Sequence, residues 1–189
     1  HVREVVVPRL SRKKAFYLTQ MGYDELSERT ALIGHDGWAD GRLGNYEKSR
    51  VELNDHRLIG DYRADRSKAG ILRVMQHHAD EAADSMGEKL AGIHRSYDHV
   101  IIVTHIPPFA EASMHRGKPS TDDFLPFYSS KVMGDVIKHH AETHPDVFYT
   151  VICGHTHGEA RYQALPNLLV RSFAAEYGAP RIGALMVFP

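Results

Sequence analysis

Two unbroken apolar runs in this chain end in histidine. Val100-Ile101-Ile102-Val103 leads into Thr104-His105-Ile106-Pro107-Pro108, and Thr150-Val151-Ile152-Cys153 leads into Gly154-His155-Thr156-His157-Gly158. β-Branched residues without polar alternation suit strands covered on both faces, the situation of a parallel sheet. A shorter run over 30–34 predicts another strand. Between these runs the period changes from two to three and four. Ile71, Met75, His78, Ala82, Met86, Leu90 and Ile93 predict a long amphipathic helix over 67–96. Val132, Met133, Val136 and Ile137 predict a second helix over 129–143, and 2–10 reads as helical. After Gly158, short runs at 160–163, 168–172 and 182–187, separated by Leu165-Pro166-Asn167 and Gly178-Ala179-Pro180, predict an antiparallel meander closing a second sheet.

The order of these elements makes an α/β domain, and no linker, repeat or low-complexity tract divides residues 1–189. Two loops interrupt the regular pattern. The first, over 35–45, is rich in Gly, Asp and Asn and holds His35, Asp36, Trp38, Asp40 and Arg42. The second, over 111–127, is polar with Met114-His115-Arg116-Gly117-Lys118 at its centre, the kind of segment that forms lids and specificity loops.

Composition narrows the partners. With 23 Lys and Arg against 24 Asp and Glu the formal charge is −1, so no strong field draws the chain to nucleic acid or to a membrane surface. No apolar run approaches the length of a membrane span, and no signal peptide is visible. A single cysteine excludes an intrachain disulfide and fits a reducing, cytoplasmic setting. Cys153 itself reads as a small buried residue ending a strand.

Candidate chemistry lies at the strand ends. Loops at the carboxyl ends of parallel strands form the usual ligand crevice of α/β proteins, and three imidazoles arrive there: His105, His155 and His157. Neutral imidazole binds zinc, iron and other first-row ions. The glycines flanking His155 and His157 permit a turn, so the two rings can serve one ion or two. Among the other histidines, His77 and His78 are adjacent and point to different faces of their helix, and His139 and His140 lie in a last turn where the helix dipole favours a cationic ring. Neither pair reads as a metal site.

Thr104-His105-Ile106-Pro107-Pro108 followed by Cys153-Gly154-His155-Thr156-His157 resembles the carboxyl-terminal half of the calcineurin-like metallophosphoesterases. Residues 30–42 resemble the middle region of some bacterial members. The resemblance implies a sandwich of two mixed β-sheets flanked by helices. It also implies hydrolysis of a small phosphorylated substrate, as a phosphomonoesterase or phosphodiesterase, by two divalent metal ions, which relatives take as Mn, Fe, Zn or Co. By that resemblance His105 and His155 bind one ion and His157 the other. From the 35–45 loop itself, His35, Asp36 and Arg42 are candidates for substrate binding.

The chain departs from the family pattern upstream of these motifs. The amino-terminal Asp-x-His, the Gly-Asp-x-x-Asp and the Gly-Asn-His motifs are absent: Gly60-Asp61 is followed by Tyr62-Arg63-Ala64, and Gly44-Asn45 by Tyr46. The expectation is a carboxyl-terminal portion of a longer phosphoesterase domain, with no catalytic acid in this chain, inactive alone and prone to self-association. Two rivals stand beside it. One is a non-catalytic binding or scaffold protein that keeps the fold. The other is a metallo-β-lactamase-like hydrolase, disfavoured because Gly158-Glu159-Ala160 follows His157 where that family has an acidic and histidine continuation.

Overall fold

The computed structural model describes residues 16–93, 97–179 and 181–186. Its elements in chain order are β1 (Asp24–Ser27), β2 (Thr30–His35), α1 (Asp55–Leu58), α2 (Lys68–Gly92), β3 (His99–Thr104), β4 (Met114–His115), β5 (Lys118–Pro119), α3 (Leu125–Tyr128), α4 (Lys131–Thr143), β6 (Phe148–Cys153), β7 (Ala160–Leu165) and β8 (Leu168–Ser172). The helix expected over 2–10 lies outside the described residues.

The architecture is mixed α/β. One sheet holds six strands in the order β1-β2-β3-β6-β8-β7, and β4-β5 form a separate two-stranded ribbon. The four central strands are parallel, and the antiparallel β1 and β7 close the two edges. The expected antiparallel pairing of β7 with β8 is present, but the pair does not build a second sheet. Five consecutive residues of β8, Leu168 to Ser172, align with β6 instead and extend the main sheet. Residues 181–186 carry no strand.

Helix α2 begins where the Ser67 hydroxyl accepts the Gly70 N–H at 3.0 Å, an N-cap that satisfies one of the orphan donors of the first turn. Its buried side is Met75, Ala79, Ala82, Ala83, Met86 and Leu90, a stripe at steps of three and four. Ala82, Met86 and Leu90 of this stripe and Met133, Ile137 and Ala141 of α4 pack on Ile33, Val100, Ile102, Val151, Leu168 and Val170 of the sheet. The two helices thus cover one face. On the other face Ile101 and Thr150 are buried while Leu32, Val103, Ile152 and Leu169 are half-buried, so the both-face covering read from the apolar runs is complete on the helix face and partial on the other among the described residues.

A second apolar cluster, with Ala39, Tyr46, Tyr62, Met75, Ile106 and Phe127, lies beyond the carboxyl ends of the strands. It holds the 35–45 loop in place. Asp40 is fully buried there; its carboxylate accepts the backbone N–H of Arg42 and of Val132, each at 2.9 Å, and so caps α4 from a distant loop. Arg42 continues the network with a two-pronged bond to Asp80 on α2, at 2.7 and 2.9 Å.

Candidate metal centre

Strand register brings the candidate residues together. Because His35 pairs with Thr104 and Val103 with Ile152, β2, β3 and β6 end side by side. The chain continues beyond them in step: His105 N–H donates to the Asp36 carbonyl, and Gly154 N–H to the His105 carbonyl, both at 3.0 Å. Three strand ends thereby place Asp36, His105 and His155 in neighbouring positions.

The Gly-His-Thr-His-Gly segment folds with both histidines at positive φ, 65° for His155 and 58° for His157. Thr156 N–H donates to the Gly154 carbonyl at 2.8 Å, which makes His155 the centre of a γ-turn with positive φ, the rare and strained kind. Three contacts hold it. His115 Nδ1 donates to the Thr156 carbonyl at 2.9 Å, and Ser172 Oγ donates to the Gly158 carbonyl at 2.8 Å. Gly158 packs so closely on the ribbon that an added Cβ would fall 2.0 Å from the Met114 carbonyl oxygen.

The strained turn delivers His155 Nδ1 to within 3.1 Å of His105 Nε2, with the rings edge to face. The other nitrogen of His155, Nε2, lies 3.2 Å from the Phe127 carbonyl. A carbonyl only accepts, so Nε2 carries the proton and Nδ1 presents a lone pair toward His105. Burial keeps both rings neutral. It pushes His155 down to about 4, with His105 the next cause, and lowers His105 as well. Asp36 and Asp55 act on His105 in the opposite sense, and Asp55 does so on His155, so carboxylate charge lies near the pair.

These donors fit one ion as a pair. Two nitrogens at ~2.0–2.1 Å from a tetrahedral ion stand ~3.3 Å apart, close to the observed separation, and a ligating histidine ordinarily donates its other nitrogen to a carbonyl or carboxylate. A third donor is not drawn up. Among the described residues no group of three or more His, Cys, Asp or Glu has a ligating arrangement, and the His157 ring packs edge-on against Tyr177 at 4.9 Å. Cys153 is buried, its thiol pushed up to about 12 by desolvation and donating to the Arg171 carbonyl at 3.5 Å.

Of the residues expected to bind substrate, His35 and Asp36 line a cleft of about 500 Å³ together with His105. Gly37 N–H donates to His35 Nδ1 at 3.0 Å. Arg42 is elsewhere: its guanidinium is committed to Asp80 and Asp40, and it is not part of the cleft wall. For His140 the expectation of a cationic ring is reversed. Burial, with His144 and His139 nearby, pushes His140 down to about 4, so desolvation outweighs the helix dipole and the ring is neutral.

Several residues of the region carry no signature along the chain. Asp55 and His56 come from the four-residue helix α1, with the His56 ring against Tyr62 and Phe127. Tyr128 stands edge-on to His155 at 5.3 Å. His78, read as an ordinary helical residue, lines the cleft and meets Asp61 at 2.8 Å. Its interruption of an otherwise apolar helical stripe is the one signal that was available.

No protein-family model matches the sequence, and no curated protein matches it. Among solved structures, the chain is similar to a dimetal phosphatase from Danio rerio, at 12% identity and a TM-score of 0.45, over 79% of this chain and 47% of that one. It is also similar to GAP50, the anchor in the inner membrane complex of Plasmodium, at 13% identity and a TM-score of 0.37, over 80% of this chain and 35% of that one. The chain thus spans about half the length of the first and about a third of the second.

Proposed function

We propose that this chain supplies part of a metal centre that hydrolyses phosphate esters, with His105, His155 and His157 as ligands. The observation that carries the reading is one turn with two histidines at positive φ, the first of them facing His105 nitrogen to nitrogen at 3.1 Å. Positive φ costs a non-glycine residue roughly 1–2 kcal/mol, and backbone held against that preference clusters at ligand sites. An imidazole pair needing only to pack would not require it.

The chain's own residues have definite tasks in this reading. Both rings are uncharged at neutral pH; His155 Nδ1 holds a lone pair that accepts from His105 Nε2–H at 3.1 Å, and His105 would ligate through Nε2 once that proton gives way to the ion. The Phe127 carbonyl accepts a hydrogen bond from His155 Nε2–H and fixes the ring, and His115 anchors the turn by donating to the Thr156 carbonyl. When bound, divalent ions of the Mn, Fe, Zn or Co kind supply Lewis-acid stabilisation of charge developing on the phosphate oxygens. The carboxylates of Asp36 and Asp55 favour positive charge at the same place. The complete active site, the substrate and the second ion belong to the proposal for the whole protein, since the chain spans about half of the phosphatase it is similar to.

The test is cobalt titration of the chain, followed by its visible absorption, with mono- and bis-aryl phosphate hydrolysis measured in added manganese. His155→Ala and His105→Ala are expected to abolish the cobalt spectrum and any hydrolysis while circular dichroism stays unchanged. Undiminished cobalt binding in His155→Ala sinks the assignment. Metal binding in the wild type without hydrolysis, also in the longer natural protein, favours the scaffold reading over the enzyme.

A further inference from the structure

The opposite end of the sheet carries a second cavity, of about 720 Å³. Val100 and Tyr149 pair in register near the starts of β3 and β6, and both line it. From Val100 to Thr104, the last residue of β3, an extended chain runs roughly 13 Å, and His105 lies beyond. The cavity and the candidate metal centre are therefore separate places. Its floor is apolar: Leu90, Val100 and Tyr149 are each 1% exposed, with Ile93 and Val147 beside them. The rim is fixed by the Asn167 amide, which donates to the carbonyls of Ala141, His144 and Val147 at 2.9, 3.2 and 3.0 Å. A volume of this size is that of a small-molecule site.

Most polar groups of the lining are committed to other partners. The Thr143 hydroxyl is shared between the His139 and His140 carbonyls, the Tyr97 hydroxyl donates to Glu25, and His144 Nδ1 donates to the His140 carbonyl at 2.9 Å. Two groups are left. The Tyr149 hydroxyl has no hydrogen-bond partner among the described residues, although the residue is almost wholly buried. The His140 ring stacks on His144 with centroids 4.1 Å apart and meets Tyr149 edge-on at 5.7 Å, and neither of its nitrogens is bonded among the described residues. Burial holds both groups uncharged, the phenol pushed up to about 12 and the imidazole down to about 4. No lysine or arginine lines the cavity among the described residues, so it offers nothing to an anion.

We propose that this cavity binds an uncharged organic molecule of the phenol class, its ring on the apolar floor and its hydroxyl bonded to Tyr149 and His140. The two protein groups touch, so one ligand hydroxyl reaches both. That hydroxyl donates and accepts, as a neutral imidazole and a tyrosine hydroxyl require of a partner. A buried hydroxyl left unpaired is costly. Water would satisfy it but would wet the apolar floor, whereas a ring with one hydroxyl satisfies both. The inference stands apart from the phosphoesterase reading and does not rest on it.

The test is a titration of the isotopically labelled 189-residue chain with phenol, followed by amide NMR shifts, and in parallel with toluene, which keeps the ring and lacks the hydroxyl. The expected result is saturable shifts centred on Leu90, Val100, His140 and Tyr149, with phenol about tenfold tighter than toluene. Tyr149→Phe keeps the ring that packs in the core and removes only the oxygen. It is expected to weaken phenol about five- to tenfold and leave toluene unchanged. Toluene binding as tightly as phenol, shifts centred elsewhere, or no saturation overturns the proposal on the wild-type chain alone, whether or not the variant folds. Full phenol affinity in a folded Tyr149→Phe chain overturns it as well.

Discussion

Replacing His157 by alanine and, separately, by glycine distinguishes the backbone of the turn from its imidazole. Both variants lose the same ring, including its contact with Tyr177. They differ in how they tolerate φ of 58°. Alanine keeps the Cβ clash of that region, roughly 1–2 kcal/mol, whereas glycine is free of it. Glycine in turn gives the unfolded chain extra entropy, about 0.4–1 kcal/mol against the folded state. The difference leaves His157→Gly more stable than His157→Ala by about 1 kcal/mol, or about 2–4 °C in Tm for a chain of this size. Asparagine, which tolerates positive φ better than alanine, should fall between them. Differential scanning calorimetry measures the ranking, and cobalt titration of the same variants should show both weakened relative to wild type. An alanine variant as stable as the glycine variant would refute the claim that the fold holds this histidine against its conformational preference.

Three further outcomes follow from other parts of the structure. Asp40→Ala leaves two backbone N–H donors and the Arg42 guanidinium without their buried partner, so urea unfolding should show a loss of about 3–5 kcal/mol; a loss under 1 kcal/mol would mean the network is not formed. His155 and His140 are both held near 4, below the ordinary 6.5. Between those values the unfolded chain binds protons that the folded chain does not, so stability falls as pH drops through the window, by on the order of 2–3 kcal/mol after solvent screening. Equal urea midpoints at neutral pH and near pH 5 would contradict this. Gly158→Ala places a Cβ against backbone atoms of Met114 at 2.0 and 2.4 Å, and should destabilise the chain by about 1–3 kcal/mol while weakening cobalt binding through displacement of the turn; an unchanged Tm would show that the ribbon yields freely.

Periodicity along the chain located most of the regular structure, because burial against a sheet or a helix leaves a local trace. The stripe Met75, Ala82, Met86 and Leu90 marked α2, and the β-branched runs marked β3 and β6 within one or two residues. Strand pairing left no such trace. Leu168 to Ser172 read as part of a second sheet, yet it pairs with β6 on one side and β7 on the other and so extends the main sheet.

The site divides the same way. A histidine at the end of each apolar run and two glycines around a His-x-His are local facts, and the sequence by itself determined that three imidazoles stand at strand ends. Register decided that His105 and His155 meet, since the two lie fifty residues apart and adjoin only because Val103 pairs with Ile152. Packing decided the rest. Arg42 was drawn to Asp80, His140 lost its charge to burial, and His78 and Asp61 came together beside a cleft; each depends on atoms distant in the chain, and the His140 shift on desolvation, which a local pattern does not encode.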